Sequence, residues 1–263
     1  MASPNDPHSS ARPNANNRKI LAASILAGLA MGAAASKLRK PVVQVEGEAA
    51  APPPMIDWNR ARSIAINMNR GLAVTAAERT QATDAYRDLV EQCVPIVSAY
   101  TGIVLPDAPE RTFAVDRVDW IEANIDGFKR MFEPFEGLNP ASHGPSTAAG
   151  ALLSGANRAV LSSEVGVLLG YMARKVLGQY DLALLGREQV DSGKLYYVEP
   201  NIRAIEQAMH LPKADFRMWL ALHEVTHAFE FEGIPWLKPY FNGLIERYFT
   251  YLRQDAEQLR QGL

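Results

Sequence analysis

The chain has 263 residues, of which 48% are apolar, enough for one sizeable domain with a substantial core. It carries 27 lysines and arginines and 29 aspartates and glutamates, and this net charge of −2 argues against a basic surface for nucleic acid, so no nucleic-acid partner is expected. The single cysteine, Cys93, excludes an intramolecular disulfide and a zinc site built from cysteines.

The first 55 residues divide into three segments that we expect to lie outside the folded domain. Residues 1–19 are rich in Asn, Pro and Ser, which predicts disorder. Residues 20–36 (ILAASILAGLAMGAAAS) carry no charge, are flanked by basic residues, and have about the minimum length that spans a bilayer as a helix. Residues 37–55 are rich in Pro and Ala and are predicted to be an extended linker.

The apolar segment 20–36 allows three interpretations. A single transmembrane anchor is favoured, which would tether the protein to a membrane. A cleaved signal peptide is less favoured, because basic residues follow directly after any Ala-rich cleavage point. A soluble Ala-rich helix is the third. We therefore expect a membrane-anchored protein, with a cytoplasmic location as the alternative.

Beyond the linker, the pattern predicts one domain over residues 56–263, and most of it is helical. Asp57 is placed to cap a first short helix. Thr75 and Glu78 have the spacing of a capping box, which opens a long helix that ends at Gly102. Together these signals predict two helices in the first quarter of the domain.

The middle of the chain alternates between short strands and helices. A short strand is predicted at Phe113 to Val115, and a helix is predicted to open at Asp119. Another helix runs from about Ala148 to Leu177. Lys194 to Val198 has the best strand sequence in the chain, because its Leu, Tyr and Val residues suit a pleated surface. The fold class is therefore mainly α, with a small β element (α+β).

The segment from Lys213 to Pro235 contains the sequence His223-Glu224-Val225-Thr226-His227 on an amphipathic helical pattern. Residues four apart on a helix lie about 6 Å apart along its axis on the same face, so both imidazoles can bind one tetrahedral Zn²⁺. Glu224 can act as the general base that takes a proton from a zinc-activated water and passes it to a leaving amine. This motif predicts a zinc-dependent hydrolase that cuts a peptide or another amide, although such a pair of histidines can also occur without a metal.

The third zinc ligand is not evident from the sequence. No histidine follows His227, so a glutamate is the remaining common choice. Glu230 lies three positions further and would have to strain to reach the metal. Glu246 lies on the next predicted helix and could approach from an antiparallel neighbour, but it could equally be an exposed helix charge. The strand at Lys194 to Val198 precedes the motif, and we expect an edge strand beside the cleft to bind an extended substrate.

Several short words of sequence occur together between residues 56 and 252. They are Ile56-Asp57-Trp58, Val115-Asp116-Arg117, Trp120-Ile121, Ala123-Asn124, Val176-Leu177-Gly178-Gln179-Tyr180-Asp181, Pro200-Asn201-Ile202, Asp215-Phe216-Arg217, Trp219, the His223–His227 motif and Pro235-Trp236-Leu237. With these words the chain resembles a bacterial zincin-like metalloprotease family, long catalogued as a domain of unknown function, of which one branch is associated with biosynthesis of a deazaflavin coenzyme.

The resemblance implies a zincin-like metallopeptidase fold, with Zn²⁺ held by His223 and His227 and with Glu224 as the catalytic base. Family members are longer, and a later helix carries a Glu-Gly-His-Ala-Asp word that would supply a glutamate ligand. This chain ends at Leu263 without that word. The expectation is therefore either a fragment whose C-terminal part is missing, or a catalytically inactive zincin scaffold or binding module that lacks the third ligand.

Overall fold

The computed structural model describes residues 53–71, 73–138, 148–180 and 193–262. The segments predicted to be disordered (1–19) and apolar (20–36), and nearly all of the predicted linker, lie outside the described residues. The described residues form a mostly helical α+β structure, which confirms the predicted fold class.

The α-helices of the described residues pack around a small sheet. They are α1 (Trp58–Met68), α2 (Ala76–Thr101), α3 (Arg117–Phe132), α4 (Ala148–Met172), α5 (Glu199–Met209), α6 (Lys213–Gly233) and α7 (Leu237–Gly262), with a 3₁₀ helix at Glu133–Leu138 after α3.

The helix starts follow local capping chemistry. The Asp57 side chain accepts a hydrogen bond from the backbone of Arg60 at the start of α1, and Thr75 with Glu78 forms the predicted capping box of α2. The predicted start of α3 at Asp119 is wrong by three residues. Asp116 is the N-cap, because its carboxylate accepts from the backbone N–H of Asp119, whose own carboxylate accepts from the backbone of Asp116.

Among the described residues, the sheet has three strands: β1 (Thr112–Val115), β2 (Gly178–Tyr180) and β3 (Leu195–Val198). Their order is β1-β3-β2, with β1 parallel and β2 antiparallel to β3. The strand predicted from Lys194 to Val198 is therefore the central strand of this sheet, and the expectation that it forms the edge beside the cleft is wrong. That place belongs to β2, which is too short to give a periodic signal in the sequence.

Both faces of the central strand are buried. Leu195 and Tyr197 point into a core formed with α2 and α6, whereas Tyr196 and Val198 point into a second core formed with α1, α3 and α4. This alternation is the two-residue period of a strand. The sheet therefore holds α2 and α6 against one face, while α1, α3 and α4 cover the other.

No helix among the described residues is long and apolar enough to cross a membrane. Helix α4 is rich in apolar residues, but it carries Arg158 and Glu164 and packs against α1. This finding contradicts the expected transmembrane helix, and we do not retain the membrane anchor. The segment 20–36, on which that expectation was based, lies outside the described residues.

Candidate metal site and cleft

The two histidines of the motif converge on one point in front of α6. His223 Nε2 and His227 Nε2 are 3.3 Å apart, and their ring planes are 80° to each other. Two nitrogens that each lie 2.0–2.1 Å from a tetrahedral zinc are separated by about 3.3–3.4 Å. The donor pair therefore fits one Zn²⁺.

The surroundings of the two rings favour the forms that bind metal. Partial burial, and then the neighbouring His227 ring, lowers the pKa of His223, so its neutral imidazole is favoured. His227 Nδ1 lies 2.9 Å from Oε2 of Glu230. When Nδ1 carries the proton and donates it to this carboxylate, Nε2 keeps its lone pair for a metal. Glu230 therefore orients His227 from behind.

Glu224 is buried between α6 and the edge strand. Its Oε2 accepts a 3.0 Å hydrogen bond from the backbone N–H of Tyr180. Burial raises the pKa of Glu224 to about 7, and the charge of His227 and the N–H bond from Tyr180 oppose that rise. A carboxyl with this pKa can both accept and release a proton near neutral pH.

A glycine makes room for this carboxylate. A Cβ atom at Gly178 would overlap the carboxyl group of Glu224 and would lie 2.7 Å from its Cγ. The backbone of Gly178 is extended, so it is the space in front of Glu224, and not an unusual φ angle, that favours glycine here. This role of Gly178 could not be predicted from the sequence.

A buried tyrosine pair lies on the inner side of the site. The rings of Tyr86 and Tyr197 stack with a centroid distance of 4.1 Å. The Tyr197 hydroxyl is buried and has no hydrogen-bond partner among the described residues. Burial, and then the negative charge of Glu224, raises its pKa, so Tyr197 stays protonated beside the carboxylate.

The cleft in front of the motif has a volume of 270 Å³. It is lined by Gly178, Gln179, Tyr180, His223, Glu224, His227 and Phe231. Two members of the Gln179-Tyr180-Asp181 word thus line the cleft, while Asp181 lies outside the described residues. The side chain of Gln179 also bonds to Trp120 and Asn124 on α3, which fixes the edge strand to the domain.

The Pro200-Asn201 word has a structural role. The Asn201 amide donates to the backbone carbonyls of Ala173 and Val176 just after α4, and its Oδ1 accepts from Arg117. These bonds satisfy carbonyls that the end of a helix leaves free.

Neither glutamate considered as a third ligand, Glu230 or Glu246, completes a metal site with the histidine pair. Glu246 is exposed on α7. Glu230 bonds to the far nitrogen of His227, and Glu232 binds Arg111 and the Tyr180 hydroxyl. In the part of the chain that the structure describes, no group of three or more His, Cys, Asp or Glu side chains could hold a metal.

The matched sequence model decides the family of this chain. The model of the zincin-like metallopeptidase family matches residues 56–263. The chain belongs to the zincin-like metallopeptidase family. This confirms the resemblance drawn from the sequence words, and membership implies a metal, usually zinc.

A solved structure supports the same assignment. The chain is similar to the crystal structure of a "putative hydrolase with a novel fold" from Chloroflexus aurantiacus, with 38% sequence identity and a TM-score of 0.57. The match covers 74% of this chain and 59% of that protein, so the chain spans about three fifths of its solved relative. No curated protein matches the chain.

Proposed function

We propose that this zincin-like protein is a zinc-dependent metallohydrolase that cuts peptide bonds, with Glu224 as its general base. The observation that carries the proposal is the 3.3 Å separation of the two histidine Nε2 atoms, which fits two ligands of one Zn²⁺. When bound, zinc supplies the Lewis acidity that activates a water molecule and polarises the carbonyl of the substrate.

The side chains of the chain itself would bind the metal and transfer the proton. His223 and His227 hold the metal, and Glu230 fixes the orientation of His227. Glu224 Oε2 is held by the N–H of Tyr180, and its pKa near 7 suits a group that takes a proton from water and returns it to the leaving amine.

The edge strand β2 offers its main chain to an extended substrate. The backbone of Val198 bonds to Leu177 on the side that faces β3, so by alternation the main-chain groups of Gly178 and Tyr180 face away from β3 and toward α6. The N–H of Tyr180 is already used by Glu224. The groups of Gly178 and the carbonyl of Tyr180 are the ones that can pair with a peptide in the cleft.

A second candidate function is a non-catalytic zincin scaffold that binds a peptide without cutting it. The absence of a third metal-binding side chain near the histidine pair, within the described residues, favours this alternative. A site with two protein ligands binds zinc more weakly than a site with the three protein ligands that are common in catalytic zinc sites.

Zinc analysis and turnover by the full chain distinguish the two functions. If the site is catalytic, the wild-type chain should bind about one zinc ion and cleave members of a mixed peptide library. His223→Ala and His227→Ala should lose the zinc. Glu224→Gln should keep the zinc but lose cleavage. His210→Asn is the matched control, because His210 is exposed after α5 and Asn tolerates its left-handed backbone (φ 53°). Cleavage that survives Glu224→Gln would overturn the catalytic proposal, and peptide binding without cleavage would establish the scaffold.

A further inference from the structure

Helix α6 presents a regular stripe on the side of the cleft. Trp219, His223, His227 and Phe231 follow one another at intervals of four residues. Four residues of helix rise about 6 Å, so this stripe is about 18 Å long, with the two histidines in the middle and an aromatic ring at each end. The metal-binding pair is therefore flanked by apolar surface on both sides.

At one end, Trp219 forms an exposed shelf. Its ring stacks on His223 with a centroid distance of 5.5 Å and an interplanar angle of 18°, and Phe216 supports it from behind at 6.1 Å and 12°. Trp219 is nevertheless 56% exposed. A large, rigidly stacked aromatic ring left open to solvent beside a cleft is typical of a binding surface.

At the other end, Phe231 is part of an apolar wall. Its ring stacks on Tyr180 (6.2 Å, 15°) and meets the edge of Phe241 (6.1 Å, 82°). Phe231 lines the cleft, and Phe241 on α7 is 36% exposed. The apolar wall therefore continues from the cleft onto the surface of α7.

The edge strand runs along this stripe. Gly178 lies against Glu224, whereas the Tyr180 ring reaches Phe231, so β2 advances from the middle of α6 toward its C-terminal end. An extended peptide between β2 and α6 would pass along the same line. Apart from the motif itself, the described residues that line the cleft carry no charged side chain, and the rings of Tyr180 and Phe231 offer apolar contacts to a bound peptide.

We infer that the substrate is an extended peptide with bulky apolar side chains about three residues to either side of the cleaved bond. This inference rests on the proposed hydrolase function. The distance comes from the stripe, because a metal held between the two histidines lies about 9 Å along the helix from each terminal aromatic residue, which corresponds to about three residues of extended chain at roughly 3.3 Å each. Trp219 takes the side chain on one side of the bond, and the wall of Phe231 and Phe241 takes the other.

A peptide series tests the inference. The peptides share one cleaved bond and carry Phe, Leu, Ala or Asp three residues before or after it. We expect kcat/KM to be about tenfold higher for Phe and Leu than for Ala and Asp at each position. Trp219→Ala removes the preference at one position only, and Trp219→Phe keeps most of it.

Tyr171→Ala on α4 is the matched control, since Tyr171 has nearly the same exposure (55%) but lies on a helix that packs against α1 on the other face of the sheet. It should leave the preference unchanged. Cleavage with no apolar preference, or with a preference that survives Trp219→Ala, overturns the inference and leaves the hydrolase proposal intact.

A binding measurement separates this inference from the activity. Calorimetry on the zinc-loaded protein compares two peptide hydroxamates that differ only in a benzyl or a methyl side chain three residues from the zinc-binding group. Tighter binding of the benzyl compound, lost in Trp219→Ala, supports the inference even without turnover. Equal binding of the two overturns it, and the absence of both binding and cleavage overturns the hydrolase proposal as well.

Discussion

The backbone N–H of Tyr180 donates a 3.0 Å hydrogen bond to Oε2 of Glu224, which links the edge strand to the carboxylate of the motif. Strand β2 and helix α6 are thus coupled at the position where proton transfer is proposed. The strand cannot shift without changing the position of the carboxylate. Substitutions in β2 should therefore affect catalysis more than metal binding.

Gly178→Ala tests this coupling. The added methyl group would overlap the Glu224 carboxyl group, so either the carboxylate or β2 must move. A displacement of about 1 Å in a catalytic group costs on the order of 100-fold in rate. We expect kcat for peptide cleavage to fall about 10- to 100-fold while zinc content stays unchanged, measured by steady-state kinetics and elemental analysis.

Gly155→Ala is the matched control for that variant. Gly155 lies in α4, and a Cβ there meets nothing within 4 Å. Alanine is favoured over glycine in a helix by about 1 kcal/mol, so this variant should be slightly stabilised with unchanged kcat. If Gly178→Ala behaves like Gly155→Ala, the position of β2 does not control Glu224.

The features that can be predicted from the sequence are local. His223, Glu224 and His227 are spaced by one helical turn, and the caps at Asp57 and Thr75 depend on residues no more than three positions away. Such features can be read from periodicity alone. The fold class and the family followed from the same kind of local pattern.

The parts that the sequence did not predict depend on contacts between distant segments. Strand β2 has three residues, and its partners, Glu224 on α6 and Tyr196 on β3, are far away in the chain. Nothing near Gly178 in the sequence indicates that a carboxylate lies against it. The order of the strands is likewise set by packing, so the sequence of Leu195–Val198 does not distinguish a central strand from an edge strand.

Glu224 should reduce the stability of the metal-free protein above neutral pH. Its pKa is raised from 4.5 to about 7, so the folded state holds a proton more tightly than the unfolded state does. The free energy of unfolding should therefore fall as pH rises through this window, by about 3 kcal/mol in total. Glu224→Gln has no such charge, and its stability should exceed that of the wild type at pH 8 but not at pH 4.

Urea unfolding of the EDTA-treated wild type and Glu224→Gln at pH 4 and pH 8 measures this difference. Glu246→Gln serves as the control, because Glu246 is an exposed carboxylate on α7. The expectation would be contradicted by equal stability of wild type and Glu224→Gln at pH 8.

Arg217 compensates two buried carboxylates next to the core of α6. It bonds to Glu199 at 2.9 Å and to Glu206 at 2.6 Å, and the side chains of both acids are at most 3% exposed. Its guanidinium also lies over the ring of Tyr86. Arg217→Met leaves both acids buried without this cation, which typically costs about 3–5 kcal/mol.

Chemical denaturation should show that loss for Arg217→Met. Arg62→Met is the matched control, because Arg62 pairs with Glu122 at the surface and both side chains are more than one third exposed. A surface pair contributes about 0–1 kcal/mol. If the two variants lose similar amounts of unfolding free energy, the buried cluster contributes no more to stability than a surface ion pair does.

Cys93 gives a direct measure of how tightly the core around α2 and α6 is packed. The side chain is fully buried, its Sγ lies 3.5 Å from Sδ of Met218, and burial raises the pKa of the thiol to about 11. Because the thiolate is the reactive form, labelling by a disulfide reagent at pH 8 should be at least about 100-fold slower in the folded than in the unfolded protein. As Cys93 is the single cysteine of the chain, the labelling signal has one source.

Rapid labelling of the folded protein at pH 8 would show that α2 and α6 separate readily. The site helix α6 would then lack the rigid support that a fixed histidine pair requires.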